Sequence, residues 1–316
     1  MGERKKIVVT GALGHIGSRL IRKLPMAFEG GAEIVLLDNL STQRYCSLFD
    51  LPDGASYRFV QADVVEDQLE GFFDGADAVI HLAAITDAAG SFDRQEQVEQ
   101  VNFVGTQKVA RACMATGSVL MFFSTTSVYG TQSETVDESC PASDLKPQSP
   151  YAESKLRAEG YLQSLDGRQG LRFVICRFGT IFGTSTGMRF HTAINKFCWQ
   201  AVNGLPLTVW RTAMDQKRPY LALSDAVEAV KFILRRDLFD RRIYNVVTVN
   251  ASVREIVELI GKYVPGVSVQ YVDTPIMNQL SYHVLNTRFA SLGFDFKGGL
   301  EAGIRETVEL LHALRQ

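Results

Sequence analysis

The apolar, β-branched run Ile7-Val8-Val9 leads directly into Thr10-Gly-Ala-Leu-Gly-His-Ile-Gly17, and Ile16, Leu20, Ile21 and Leu24 then recur at helical period. No other feature of the chain constrains its fold as strongly. A short run of this kind reads as a strand buried on both faces. Strand, glycine turn and helix in that order point backbone N–H groups and the positive end of a helix dipole at a phosphate. Gly11, Gly14 and Gly17, spaced three and three, supply a tight turn, close approach to a pyrophosphate and close packing of helix on strand. Val35-Leu-Leu-Asp38 ends a second apolar run with an acid about twenty residues beyond Gly17, where a ribose hydroxyl pair needs an acceptor. An accidental glycine-rich turn would lack these companions, so the stretch predicts a dinucleotide site.

Composition bounds the rest. A chain of 316 residues can bury a large core and forms one big domain or two smaller ones. An apolar fraction of 46% and a net charge of −2 describe an ordinary globular protein, with no basic surplus to suggest nucleic acid. Met1-Gly-Glu-Arg-Lys-Lys6 runs straight into the first strand and predicts no signal peptide. No run approaches the roughly 20 apolar residues of a membrane span, so no membrane partner is expected. Cys46, Cys113, Cys140, Cys176 and Cys198 are odd in number and never form a C-x-x-C, which predicts reduced thiols in a cytoplasmic setting and no structural zinc. The five histidines show no metal-ligand spacing either.

Strand candidates at 6–10, 33–38, 57–61, 78–82, 119–125 and 172–178 alternate with helix candidates at 14–24, 66–73, 94–116 and 150–165. That alternation predicts an α/β, Rossmann-type doubly wound parallel sheet. Asp63-Val64 follows the third strand at its carboxyl end, where an adenine would lie, and His81-Leu-Ala-Ala84 ends the fourth with small residues. Asn102 is expected to begin a helical segment beneath that strand, either touching a cofactor or bonding neighbouring backbone. After residue 178 the alternation breaks. Gly183-Thr-Ser-Thr-Gly187 reads as a flexible stretch, Phe190–Val202 as an amphipathic segment and Pro206–Trp210 as a strand. Tyr220–Leu223 is expected to return to the sheet, with Ser224 capping a helix Asp225–Arg235, followed by a strand Ile243–Val247 and a Ser252-capped helix to Tyr263. The predicted division is 1–178 with 219–247 as a nucleotide-binding domain, and 179–218 with 248–316 as a smaller, partly discontinuous lobe.

Two further clusters carry chemistry. Ser124-Thr-Thr-Ser-Val-Tyr-Gly130 lies at the carboxyl end of the fifth strand. In Ser149-Pro-Tyr-Ala-Glu-Ser-Lys155, Ser149 is a good N-cap and Pro150 a good first helical residue, so Tyr151 and Lys155 share one helix face. A tyrosine with a pKa near ~10 is a poor base at neutral pH, and a neighbouring cation favours its phenolate. The tyrosine then takes a proton from a hydroxyl as hydride leaves the same carbon.

Taken in order, Thr10-Gly-x-x-Gly-x-x-Gly17, Leu37-Asp-Asn39, Asp63-Val64, His81-Leu-Ala-Ala84, Asn102-x-x-Gly-Thr106, Ser124-Thr-x-x-Val-Tyr-Gly130, Ser149-Pro-Tyr-x-x-x-Lys155 and Arg177 resemble the extended short-chain dehydrogenase/reductases over essentially the whole chain. This branch contains nucleotide-sugar epimerases, dehydratases and reductases. The resemblance implies Tyr151 as acid/base, Lys155 as its pKa-lowering and ribose-binding partner, and Thr125 as the hydroxyl that bonds the reacting oxygen. It implies NAD, held by Gly11, Gly14, His15, Ile16, Gly17, Asp38, Asn39, Asp63, Val64, Leu82, Ala83, Ala84 and Asn102 with Tyr151 and Lys155. Asp38 favours NAD over NADP, since a carboxylate repels a 2′-phosphate, while Arg44 nearby tempers that preference. Thr86, Ser124, Thr125, Thr180, Trp210 and Arg218 fall where the family meets its sugar nucleotide. Arg218 would grip a diphosphate bidentately or serve as a surface ion pair, and Trp210 would stack on a base or fill core.

The departures narrow the activity. Family dehydratases place a glutamate, often after an aspartate, just before Val-Tyr-Gly; Thr126-Ser127 stands there and leaves no base for the C5 proton. Thr180 replaces a common asparagine, and Thr274-Pro-Ile-Met-Asn-Gln279 replaces a second phosphate-arginine segment. The expected activity is NAD-dependent nucleotide-sugar epimerisation, most simply at C4 through a transient 4-keto sugar. The alternatives are a keto-sugar reductase or dehydrogenase and a non-catalytic NAD-binding module. By the same resemblance, the helices at 94–116 and 150–165 are expected to form a homodimer interface, although their amphipathic faces would equally serve to pack on the chain's own sheet.

Overall fold

The apolar runs read from sequence do become one parallel sheet. The computed structural model describes residues 4–130, 134–165, 170–273 and 282–313. Strands β1 (Lys5–Thr10), β2 (Ala32–Asp38), β3 (Ala55–Gln61), β4 (Ala78–His81) and β5 (Val119–Thr125) alternate with helices α1 (His15–Lys23), α2 (Glu70–Phe73), α3 (Gln95–Glu99) and α4 (Gly105–Thr116). The short β6 (Thr135–Val136), α5 (Pro150–Ser164), β7 (Phe173–Phe178) and β8 (Thr180–Phe182) follow. Next come α6 (Ala193–Val202), β9 (Leu207–Trp210), β10 (Lys217–Ala222), α7 (Leu223–Arg236), β11 (Ile243–Val246), β12 (Val249–Ser252), α8 (Val253–Tyr263) and β13 (Val269–Val272). The last described elements are β14 (His283–Val284), α9 (Thr287–Ala290) and α10 (Leu300–Ala313).

The main sheet has seven strands in the order β11-β7-β5-β4-β1-β2-β3, every pair parallel. Strand order reverses between β1 and β4, and the crevice outside the carboxyl ends at such a reversal is where α/β sheets bind ligands. Side chains alternate across the sheet. Ile7 and Val9 join one core with Leu20 and Ile233, while Val8 joins another with Val109 and Leu162. A third core, around Phe182, Ile194, Ile260 and Val308, holds α6, α8 and α10 together beside the sheet.

Several expectations need correction. Tyr220–Leu223 does not rejoin the large sheet. β10 pairs with β8 and β12 in a separate three-stranded sheet, because Tyr220 and Ala222 belong to the third core. Ser224 caps nothing: α7 starts at Leu223 with Ala222 at its N-cap. Helix is absent from 66–69, where side-chain bonds to backbone compete with it: Asp67 accepts from the Asp63 N–H and Asp63 from the Val65 N–H, each at 2.7 Å. The segment 94–116 is not one regular helix, since a π turn at Gln100–Val104 joins α3 to α4. Asn102 lies inside that turn and begins no helix. Ser252 behaves as expected, forming a reciprocal capping box with Glu255.

Candidate active site

The glycine turn leaves the α1 N-terminus open. Its N-cap, Gly14, has no side chain to satisfy the first-turn N–H groups, which is the arrangement that receives phosphate. Gly11 sits at φ +65°, and a Cβ there would lie 2.7 Å from the Ala83 nitrogen, so only glycine lets the turn close on the end of β4. A Cβ at Gly17 would approach the Ala12 carbonyl oxygen to 2.5 Å. Asp38, at the end of β2, accepts the Leu13 N–H at 3.0 Å and the Leu40 N–H at 2.9 Å. A carboxylate has about four lone-pair sites, so two remain for a ribose. Asn39 donates to Asp63 at 2.7 Å and ties the ends of β2 and β3 together.

The second cluster is built on α5. The Ser149 hydroxyl accepts the Ala152 N–H at 3.2 Å and Pro150 opens the helix, which sets Tyr151, Lys155 and Glu159 one turn apart on one face. The Tyr151 phenol and the Thr125 hydroxyl at the end of β5 line the same cleft, near enough for Thr125 to act on the phenol's ionisation. Thr125 also accepts the Ser127 N–H at 3.1 Å. Burial raises the Tyr151 phenol above its ordinary value, opposed by the nearby Thr125 hydroxyl and by the Arg189 charge. Arg189 adds a second cation near the phenol, besides Lys155 one turn along the helix. Lys155 is itself pushed down to about 7 by burial, which the Glu159 carboxylate opposes. Its ammonium lies 4.8 Å from the centre of the Phe122 ring.

Behind this face sits a buried ion pair. Glu159 accepts from Arg177 Nη2 at 2.6 Å and from Nε at 3.0 Å, and Ser124 donates its hydroxyl to the same carboxylate. Burial alone would lower the Arg177 guanidinium; Glu159 overrides it and raises it. The Ser124 hydroxyl, expected to face substrate, is thus committed to Glu159.

The two clusters share one cleft with about 380 Å³ of open space, within the range of small-molecule sites. From the glycine turn, β4 and the loop after it, His15, Ile16, Leu82, Ala84 and Thr86 line it. From β5 and α5, Ser124, Thr125, Tyr151 and Lys155 line it too, as do Thr180, Trp210 and Arg218 from β8, β9 and β10. Gly11, Gly14, Gly17 and Ala83 form the turn and strand end beside the cleft without lining it, and Asp38, Asn39, Asp63 and Val64 sit at the ends of β2 and β3. Asn102 is fully buried. It accepts the Ile85 N–H at 2.8 Å and donates to the Ile85 carbonyl at 2.9 Å and to Ser154 at 3.1 Å, so it fixes the loop after β4 through backbone. Thr274–Gln279 lies outside the described residues.

Sequence reading missed Arg189 and His191, which also line the cleft. Arg189 donates to Thr86, and burial pulls its guanidinium down to about 10. Their only signal was a pair of basic residues just beyond Gly187. The stretch from Gly183 to Gly187 is not the free flexible segment expected: Ser185 bonds the His15 ring at 2.8 Å, and the Gly187 N–H donates to Ser18 at 2.9 Å. Asp87 is the one carboxylate among the described lining residues. No group of three or more His, Cys, Asp or Glu among the described residues could hold a metal ion. No helix of the described chain is long and apolar enough to cross a membrane.

The chain is 30% identical to the Arabidopsis thaliana trifunctional UDP-glucose 4,6-dehydratase/UDP-4-keto-6-deoxy-D-glucose 3,5-epimerase/UDP-4-keto-L-rhamnose-reductase, over 96% of this chain and 47% of that one. It spans about half the length of that relative. Among solved structures, Thermus thermophilus UDP-glucose 4-epimerase in complex with NAD superposes with a TM-score of 0.82 at 27% identity, covering 97% of this chain and 98% of that one. MoeE5 in complex with UDP-glucuronic acid and NAD gives a TM-score of 0.83 at 26% identity, covering 98% of this chain and all of the other. The family described as NAD dependent epimerase/dehydratase matches residues 7–246. With the Thr125–Tyr151–Lys155 cluster in a cleft that reaches His15 and Ile16 of the glycine turn, and with that family match over residues 7–246, the chain belongs to the NAD dependent epimerase/dehydratase family.

Proposed function

We propose that the protein is an NAD-dependent nucleotide-sugar epimerase acting at C4. The observation that carries this reading is Tyr151 beside Thr125, with Lys155 one turn along, in the cleft that begins at the glycine turn. The residues fit NAD. The uncapped α1 N-terminus and His15, whose buried Nε2 has no hydrogen-bond partner, suit a diphosphate, and Asp38 has acceptor capacity left for a ribose. NAD supplies a reversible hydride acceptor when bound.

The chain's own residues do the rest. Thr125 orients the reacting hydroxyl beside Tyr151. Tyr151 takes its proton at the phenolic oxygen and later returns it. Lys155, able to hold or release a proton near neutrality, sits on the same face as relay and electrostatic partner. Thr86, Thr180, Trp210 and Arg218 line the space for sugar and nucleotide, and Arg218 offers the fork that diphosphates accept. The same reading treats the elements around the third core as a substrate lobe against the nucleotide-binding sheet. It includes a homodimer through α3–α4 and α5, and a cytoplasmic setting, which the five free thiols suit.

The test is purified protein with UDP-glucose and UDP-glucuronic acid and no added reductant. The expected product is the C4 epimer with no net NADH. Stoichiometric NADH without an epimer would establish the dehydrogenase alternative instead. Tyr151→Phe should lower kcat by at least ~10²-fold while NAD binding changes little.

A further inference from the structure

Three polar atoms of described cleft residues are buried and unpartnered, the Tyr220 hydroxyl and two nitrogens, Nε of Arg189 and Nε2 of His15, and the two nitrogens lie on the side of the glycine turn. They belong to segments far apart in sequence that the structure stitches together. Ser185 bonds the other nitrogen of the His15 ring, and the Gly187 N–H reaches Ser18. A Cβ at Gly187 would stand 2.4 Å from the Leu13 carbonyl oxygen and 2.7 Å from that of Gly14, so the loop after β8 lies directly on the glycine turn. With Ser185 donating to Nδ1, the ring proton sits on Nε2, which then donates as the Arg189 Nε does.

Among the described residues no ion pair neutralises Arg189. His15 is 4% exposed and feels Arg189 and Arg44 as neighbouring positive charge, and His191 adds to it. Asp87 faces Arg189 and His191, yet its carboxylate takes the Gly90 N–H at 3.1 Å and no ion pair joins it to Arg189. Burying a cation and a second donor without an acceptor is costly, and a site retains them when a ligand provides the acceptor.

We propose that His15 and Arg189 form an oxyanion subsite, half carried by the glycine turn and half by the loop after β8. It deepens the epimerase reading and rests on it for the nature of its ligands. Two sources present the required oxygen: the cofactor's diphosphate, which the α1 N-terminus already addresses, and a carboxylate on the sugar, which the Arg189–Thr86 contact and the proximity to Tyr151 address.

Arg189→Gln removes the charge and keeps a side chain able to reach Thr86. Calorimetric dissociation constants for NAD, UDP-glucuronic acid and UDP-glucose need no turnover. A rise of tenfold or more for NAD, with the acid-to-neutral sugar ratio unchanged, assigns the subsite to the cofactor diphosphate. An unchanged NAD constant with a tenfold loss confined to UDP-glucuronic acid assigns it to the sugar. Arg189→Lys should recover part of whichever loss occurs, which a merely misfolded loop would not. All three constants within threefold of the unmodified protein, at an unchanged melting temperature, would overturn the subsite. A protein that binds these ligands as expected yet forms no epimer refutes the proposed function alone.

Discussion

Lys155 supplies a sharp test of the catalytic face, because its burial has a consequence for stability that its neighbours do not share. The side chain is 3% exposed, and its one nearby carboxylate, Glu159, is already bidentate to Arg177. An unfolded lysine titrates near 10.5, whereas burial brings Lys155 to about 7. Below pH 7 both states hold the proton. Between about 7 and 10.5 the unfolded chain holds one that the folded chain has released, so stability rises with pH. At ~1.4 kcal/mol per pH unit the full shift is worth about 5 kcal/mol, and relaxation with water entry leaves roughly 2–5 kcal/mol to be observed. Buried tyrosines and cysteines titrate in the opposite sense, with folded-state values raised, so the wild-type curve alone is ambiguous. The difference from Lys155→Met cancels them. Urea unfolding of both cofactor-free proteins from pH 6 to 10 should show the Met variant relatively most stable at the acid end and losing that advantage as pH rises. Parallel curves, with a difference constant to about 0.5 kcal/mol, would show that Lys155 is not held in a desolvated site.

Other perturbations probe the framework. Glu159→Gln leaves Arg177 buried without its carboxylate and should cost about 3–5 kcal/mol in urea unfolding, whereas replacing both by leucine should recover most of it. Gly11→Ala places a Cβ 2.7 Å from the Ala83 backbone at φ +65°, and should weaken NAD binding and lower stability by at least ~1–2 kcal/mol, read by calorimetry and thermal unfolding. Asp38→Ser removes the carboxylate that repels a 2′-phosphate while Arg44 stays beside it, so the NADP/NAD affinity ratio should rise tenfold or more.

What was legible in the sequence is what local chemistry decides. The alternation of buried strands and amphipathic helices gave the sheet from β1 to β7, because a strand buried on both faces is apolar along its whole length. Ser149, Pro150 and Ser252 marked their helix starts through capping. Tyr220 showed where this fails: an apolar strand signal does not say which sheet the strand joins, and a separate core claimed it. Asn102 carried no mark of a π turn, and its bonds to Ile85 and Ser154 are made to segments distant in sequence that local pattern does not reveal. Glu159 was one helical turn beyond Lys155 and could have been noticed; only the partner Arg177, on another strand, makes it consequential. Arg189 was not recoverable from spacing, because its position depends on the docking of Gly187 onto the glycine turn.

The relative named above contains a dehydratase activity, and the cleft argues against assigning that activity to this chain. Dehydration across C5 and C6 needs a base at C5, and the family's dehydratases carry a carboxylate just before Val-Tyr-Gly. Thr126 occupies that place buried, donating its hydroxyl to the Phe178 carbonyl at 3.3 Å, and Ser127 bonds Thr125. Neither residue can take a carbon-bound proton at neutral pH. Asp87 is the one carboxylate among the described lining residues, and it belongs to the loop after β4, where its charge acts on Arg189 and His191, and not to the two positions before Val-Tyr-Gly. Tyr151 remains as the group beside Thr125 that would take the proton of the reacting hydroxyl. A hydride acceptor paired with one such group suffices to oxidise and re-reduce the same carbon, and it does not suffice to eliminate water from the next two. The chemistry that separates these activities therefore sits in two side chains at the end of β5, while the glycine turn and Asp38 are common to all of them.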